Sequence, residues 1–112
     1  MSRATSASLA ALGDARALVP VLKAISDEYR LAILLTLARE SHTVVELTET
    51  LSIAQPLVSH HLRALREAGL ISVTPEGRSN RYAVCCDAVA APIRLLSGIA
   101  NANVVLAEEE GT

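Results

Sequence analysis

Residues 47–71 read LTETLSIAQPLVSHHLRALREAGLI. Leu47 and Leu51 stand one helical turn apart, Ser52 and Ile53 interrupt the pattern, and Val58, Leu62 and Leu65 resume it at helical spacing. This pattern predicts a short helix over Val45 to Leu51, a turn, and a second helix from about Gln55 to Ala68. Gly69 ends the second helix, because a residue without Cβ takes the left-handed conformation of a helix C-cap at little cost. Leu47, Leu51, Ile53 and Val58 supply the apolar contacts that lock two helices at a steep angle. Leu62 and Leu65 continue the buried stripe of the second helix.

The opposite face of that helix is polar: Pro56, His60, Arg63 and Glu67, with Gln55, Ser59 and Arg66 on its flank. A helix-turn-helix presents such a face to the major groove, where base edges offer donors, acceptors and the thymine methyl. Gln55, Ser59 and His60 lie near the helix N-terminus, where recognition helices touch bases. Pro56 is tolerated in a first turn and offers an apolar edge. Arg63 and Arg66 lie further along, where phosphates are the expected targets.

Beyond Gly69 the period changes to two. Leu70 to Thr74 reads as a strand, Pro75 to Ser79 as a turn and Arg81 to Cys85 as the returning strand. A hairpin this small needs a helix to pack against. From Ala88 to about Ala107 the pattern is helical again, with Val89, Ile93, Leu96 and Ala100 in one stripe and Leu95, Ile99, Ala102 and Leu106 in a second. A helix apolar on two faces packs against two things, its own domain and a partner subunit. Upstream, Leu9, Leu12, Leu18, Val19, Leu22 and Ile25 recur at helical spacing, and Pro20 leaves open two short helices or one kinked helix. Asp27 suits the N-cap of a helix from Glu28 to about Arg39. The apolar residues of that helix cover most of its circumference, which predicts the central, most buried helix. Residues 40–43 read as a polar connection. The expected fold is mainly α with a small β-hairpin wing: a flexible N-terminus over 1–8, one winged helix-turn-helix domain over 9–107 and an acidic tail over 108–112.

Of the 112 residues, 51% are hydrophobic, 20% are charged and only Tyr29 and Tyr82 are aromatic, so the core is aliphatic. This is unusually apolar for so short a chain, and dimerisation hides the excess. The net charge of -2 does not advertise nucleic acid. Its distribution is compatible with DNA binding, since Arg63, Arg66, Arg78 and Arg81 outnumber Glu67 and Glu76 between His60 and Tyr82. Cys85 and Cys86 are adjacent, which is no disulfide framework. With neither a signal-peptide pattern nor a membrane-spanning run, a reducing cytoplasm is the expected location. No Gly-rich phosphate loop, nucleophile–base pair or metal-ligand cluster points to an enzyme.

Arg30 followed by Leu31–Ala32–Ile33–Leu34, then Val45–Glu46–Leu47, the run from Gln55 to Ile71, and Glu76–Gly77–Arg78 together resemble the ArsR/SmtB family of winged-helix repressors. The resemblance covers roughly residues 15 to 106. It implies a helical homodimer with the first and last helices at the interface, which places Leu18, Leu22, Leu95, Leu96, Ile99 and Val105 there. It also implies binding to an inverted repeat in double-stranded DNA and release on an inducing signal. In a winged fold Arg78 and Arg81 are placed for a flanking phosphate or the minor groove. The chain departs from the family at Ala54, where Ser is usual, and at Asp27–Glu28–Tyr29–Arg30. Both familiar family metal sites lack their ligands. Thr43, Val44 and Val45 stand where one site needs Cys-x-Cys, and only Asp87 of the other remains, with Val89, Ala100 and Asn103 on or near the following positions. His60 and His61 point about 100° apart on a helix and cannot easily grip one ion, so one faces DNA and the other packs. The sensing step is left with three routes: a weak or unconventional metal or thiol site drawing on Cys85, Cys86, Asp87, His42 and the carboxylates, no sensing at all, or a separate sensor protein. A rival function is a winged-helix protein-interaction module with weak DNA binding; the polar face of the second helix argues against it.

Overall fold

The computed structural model describes residues 5–85, 90 and 92–101. Helix α1 (Ser6–Ile25) starts where the Thr5 side chain accepts the Ser8 N–H at 3.1 Å, ahead of the expected boundary at Leu9. It continues through Pro20 as one helix, which resolves the alternative left open by the sequence. Helix α2 (Glu28–Arg39) is capped by Asp27, whose Oδ1 accepts the N–H groups of Tyr29 and Arg30 at 2.9 and 3.1 Å. A two-residue strand β1 (His42–Thr43) leads into α3 (Val44–Leu51). Thr43 and Glu46 cap each other's backbone there in a reciprocal capping box. Ser52, with φ of 54°, makes the left-handed turn before α4 (Gln55–Glu67). Strands β2 (Ile71–Glu76) and β3 (Ser79–Val84) form the hairpin, and residues 92–101 form a helix, α5.

The end of α4 is fixed by backbone geometry. Gly69, at φ of 75°, donates its N–H to Arg66 O at 2.9 Å, and Leu70 donates to Leu65 O at 3.0 Å. These two bonds are the Schellman pattern, and both leucines that bracket it are buried. The chain therefore turns directly from α4 into β2. The antiparallel sheet has the order β1-β3-β2, with Val73 opposite Tyr82 and Glu76 opposite Ser79.

Three sequence expectations change. The hairpin loop is only Gly77–Arg78, with Gly77 at φ of 60°, rather than Pro75 to Ser79. Pro75 stays in the ladder because β2 is an edge strand, where a missing N–H costs little. Residues 42–43 are not a mere connection but pair with β3, His42 opposite Tyr82 and Thr43 opposite Arg81. Helix α2 is not the most buried: it buries Ile33 and Leu37 but leaves Leu31 44% and Leu35 62% exposed, whereas α4 buries Val58, His61, Leu62 and Leu65. One side of α2 instead faces an apolar groove of about 310 Å³ shared with Val21, Ile25, Val84, Ile93 and Leu96. The core proper joins Ile33, Leu37, Leu47, Val58, Leu62, Leu65, Leu70, Ile71 and Tyr82. It is aliphatic, as expected, except for Tyr82.

Candidate nucleic-acid interface

At 100° per residue, the buried positions of α4 fall within an arc of about 100°, and Gln55, Pro56, Ser59, His60, Arg63, Arg66 and Glu67 occupy a separate arc of about 140°. Every residue of this second arc is exposed. The helix starts without a side-chain cap at Ala54, and Pro56 occupies its first turn, where its missing N–H is no loss. Leu57 and Val58 both donate their N–H groups to Ala54 O at 3.0 Å, which closes the first turn from within.

The hairpin brings its tip to the same end. Arg78, Ser79 and Asn80 line a cleft of about 220 Å³ with Gln55 and with Thr43, Val44 and Val45 at the start of α3. Gln55 and Arg78, distant in sequence, therefore face one space. Ser79 and Asn80 join them there and were not singled out by sequence reasoning. Only their position just past a wing turn could have drawn attention to them.

Arg81 stands apart. Its Nη1 donates to Ser41 O at 3.1 Å, its Nη2 to Glu46 Oε1 at 3.1 Å, and its Nε to Glu76 Oε2. The hydrogen bond to Glu76, reinforced by the charges of Glu76 and Glu46, holds its guanidinium above its ordinary value. The sequence grouped Arg81 with Arg78 as a DNA contact. The structure engages its Nε, Nη1 and Nη2 within the domain, because β3 is the central strand and carries the side chain toward α3.

The two adjacent histidines divide between surface and interior. His60 is exposed and His61 is 5% exposed, with ring centroids 5.3 Å apart. Arg30, which sequence reasoning gave no role, joins three helices. It donates to Lys23 O at 3.4 Å and to Ala24 O on α1, and its Nη1 lies 3.3 Å from His61 Nδ1 on α4. A guanidinium only donates, so Nδ1 accepts and the imidazole proton sits on Nε2. That Nε2 is buried without a hydrogen-bond partner, 4.0 Å from Asp27 Oδ1.

Burial lowers the pKa of His61 below its ordinary 6.5, against an opposing pull from Asp27. The fold thus favours the neutral imidazole more than the unfolded chain does, which binds a proton below about pH 6.5. The stabilisation from this group is present above that pH and is lost as pH falls below it. The N–H groups of Arg30 and Tyr29 hold the Asp27 carboxyl below its ordinary 3.8, so its contribution disappears only in a more acid range. Denaturant midpoints should therefore fall as pH drops below about 6.5, and His61→Gln should flatten that profile. An unchanged slope in the variant would place the titration on another group.

The residues expected at a dimer interface are scattered over two helices. Leu18 and Leu22 are half-buried on α1, while Leu95, Leu96 and Ile99 are exposed on α5. Val105 lies outside the described residues, as do Cys86 and Asp87. Cys85 is half-buried and its N–H donates to Leu70 O at 2.9 Å. Among the described residues, no three His, Cys, Asp or Glu side chains come together to hold a metal ion. No helix among them is long and apolar enough to cross a membrane.

The family described as "Bacterial regulatory protein, arsR family" matches residues 27–73, from the cap of α2 to the middle of β2. An uncharacterized HTH-type transcriptional regulator of Methanocaldococcus jannaschii is 38% identical over 77 residues, 68% of this chain and 86% of its own length. The HTH-type transcriptional repressor SmtB of Mycobacterium tuberculosis is 39% identical over 62 residues; these are 55% of this chain and 46% of SmtB, so the match spans about half of that relative. Among solved structures, an ArsR-like transcriptional regulator from Rhodococcus sp. RHA1 is 30% identical, with a TM-score of 0.73 over 89% of this chain and 93% of that one.

Proposed function

Because the chain belongs to the ArsR family and is a DNA-binding transcriptional regulator, we propose that it is a repressor that binds an inverted-repeat operator as a two-fold homodimer. The observation that carries this reading is the exposed arc of α4, polar and cationic, sharing its N-terminal end with the wing-tip Arg78. Gln55, Pro56, Ser59 and His60 read bases, and Arg63, Arg66 and Arg78 hold phosphates. Repression follows from occupying a promoter. The repressor named among the relatives supports that sign. The homodimer is supported by the apolar side chains that α1 and α5 leave exposed, Leu9, Leu12, Leu95, Leu96 and Ile99 among them.

The test is footprinting on the promoter region of the protein's own gene. Two protected half-sites with centres about 34–36 Å apart are expected, since two-fold related recognition helices enter successive major grooves. Ser59→Ala or His60→Ala should reduce discrimination between operator and mismatched sites by about 1–3 kcal/mol, the worth of one well-made hydrogen-bonded pairing with a base edge. Arg63→Ala, Arg66→Ala and Arg78→Ala should weaken binding to every sequence and lower the slope of log K against log salt by about 0.9 or less each. A single unsymmetrical site, or cation variants that lose the operator alone, would contradict these roles. No protection anywhere would favour a protein-interaction module.

A further inference from the structure

Arg81 lies on the central strand of the wing sheet, opposite Thr43 of β1 and Thr74 of β2. Its guanidinium meets two carboxylates that belong to different parts of the fold. Glu46 is the third residue of α3, and its Oε1 takes both the Thr43 N–H, at 3.2 Å, and Arg81 Nη2, at 3.1 Å. Glu76 is the last residue of β2 before the Gly77–Arg78 loop, and it accepts from Arg81 Nε. A third hydrogen bond reaches Ser41 O, just before β1. One planar fork therefore joins the first turn of α3, the approach to β1 and the base of the wing tip. Core packing holds the base of the hairpin, where Ile71 and Tyr82 are buried. The tip is a two-residue loop on a two-stranded ribbon, and such ribbons twist readily when unsupported. The supporting strand β1 contributes only His42 and Thr43.

We propose that Arg81 is a positioning residue, a strut that sets the wing tip against the helix-turn-helix so that Arg78 and the N-terminal end of α4 reach the same DNA. It acts through Arg78 and does not bind phosphate itself. The proposal rests on the DNA-binding reading above and deepens it. It assigns a role to Glu46 and Glu76 as well, two acidic groups that a DNA-facing surface would otherwise do better without. Lys cannot replace Arg here, because a single ammonium lacks the planar fork that bridges two carboxylates and a carbonyl.

The experiment is a double-mutant cycle on operator DNA. Arg81→Ala and Arg81→Lys should each weaken binding by about the factor seen for Arg78→Ala, and each should lower the salt slope by no more than the roughly 0.9 of one phosphate contact. In an Arg78→Ala background, either change at Arg81 should have no further effect. Loss of fold stability alone would not produce that coupling. Glu76→Gln, which removes a negative charge, should weaken binding too. Additive losses from Arg78→Ala and Arg81→Ala would overturn the strut, as would full affinity in Arg81→Lys or tighter binding in Glu76→Gln. A second measurement needs no DNA: residual dipolar couplings of the free protein should show the β2–β3 hairpin reoriented relative to α4 in Arg81→Ala. An unchanged orientation overturns the strut whatever the DNA result. Failure of the unaltered protein to bind DNA, with the hairpin reoriented in the variant, would sink the functional reading and leave the strut standing.

Discussion

Leu65→Ala is expected to destabilise the protein by about 2–5 kcal/mol, the cost of emptying a fully buried leucine site. Leu65 is 0% exposed and lies in the core cluster that joins α2, α3, α4 and the sheet. Its backbone carbonyl accepts the Leu70 N–H that closes the end of α4. Alanine keeps that carbonyl, so the loss measures side-chain packing and not the cap. A domain of this size is stabilised by only about 5–15 kcal/mol in total, so the variant should unfold at markedly lower denaturant. DNA binding should fail with it, because α4 is held from the side that Leu65 occupies. Ser59→Ala, on the exposed arc, should change stability by no more than about 0.5 kcal/mol. Equal midpoints for the two variants would mean that the buried stripe of α4 is assigned to the wrong face.

Ile99→Glu is expected to convert dimers to monomers and to lower operator affinity by about 100-fold or more, since linked half-sites lose their avidity together. Ile99 is 62% exposed and Leu96 is 45% exposed in the single chain. If the chain worked alone, a charge at such positions would cost almost nothing. If a second copy covers them, the carboxylate must be buried without a partner, which is prohibitive. The two cases separate cleanly in sedimentation at several concentrations, with Leu96→Glu as a second variant on the same helix. The thermal midpoint of the unaltered protein should also rise with concentration, as mass action requires for an obligate dimer. Full operator affinity and a dimer mass in both variants would move the interface away from α5.

Much of this was legible in the sequence wherever one element's own periodicity decides the outcome. The stripe Val58, Leu62 and Leu65 determined the orientation of α4, and the exposed arc followed from it. The cap at Asp27 and the stop at Gly69 were legible because each depends on a few neighbouring residues. Where a distant partner decides, the sequence was silent or misleading. Strand β1 exists only because β3 passes beside it, and nothing local in His42–Thr43 announces a strand. Arg81 looked like Arg78, a cation in the wing, until Glu46 and Glu76 were found on either side of it. Leu31 and Leu35 read as core because period alone cannot tell a side covered by the same chain from one left bare. Arg30 and His61 meet across two helices, and neither residue carries a local sign of the other.

The separation of the two arcs on α4 has an evolutionary corollary. The side chains that face outward and those that hold the helix in place share no position, so selection acts on them independently. On the proposed reading, in which Gln55, Ser59 and His60 touch bases, duplicated copies of such a gene could exchange them for a new target site without passing through an unstable intermediate. Val58, Leu62 and Leu65 cannot change as freely, because each is buried and its loss would open a cavity. The same independence suits this helix to directed libraries: randomising the outward positions samples new target preferences on a scaffold whose melting behaviour barely changes.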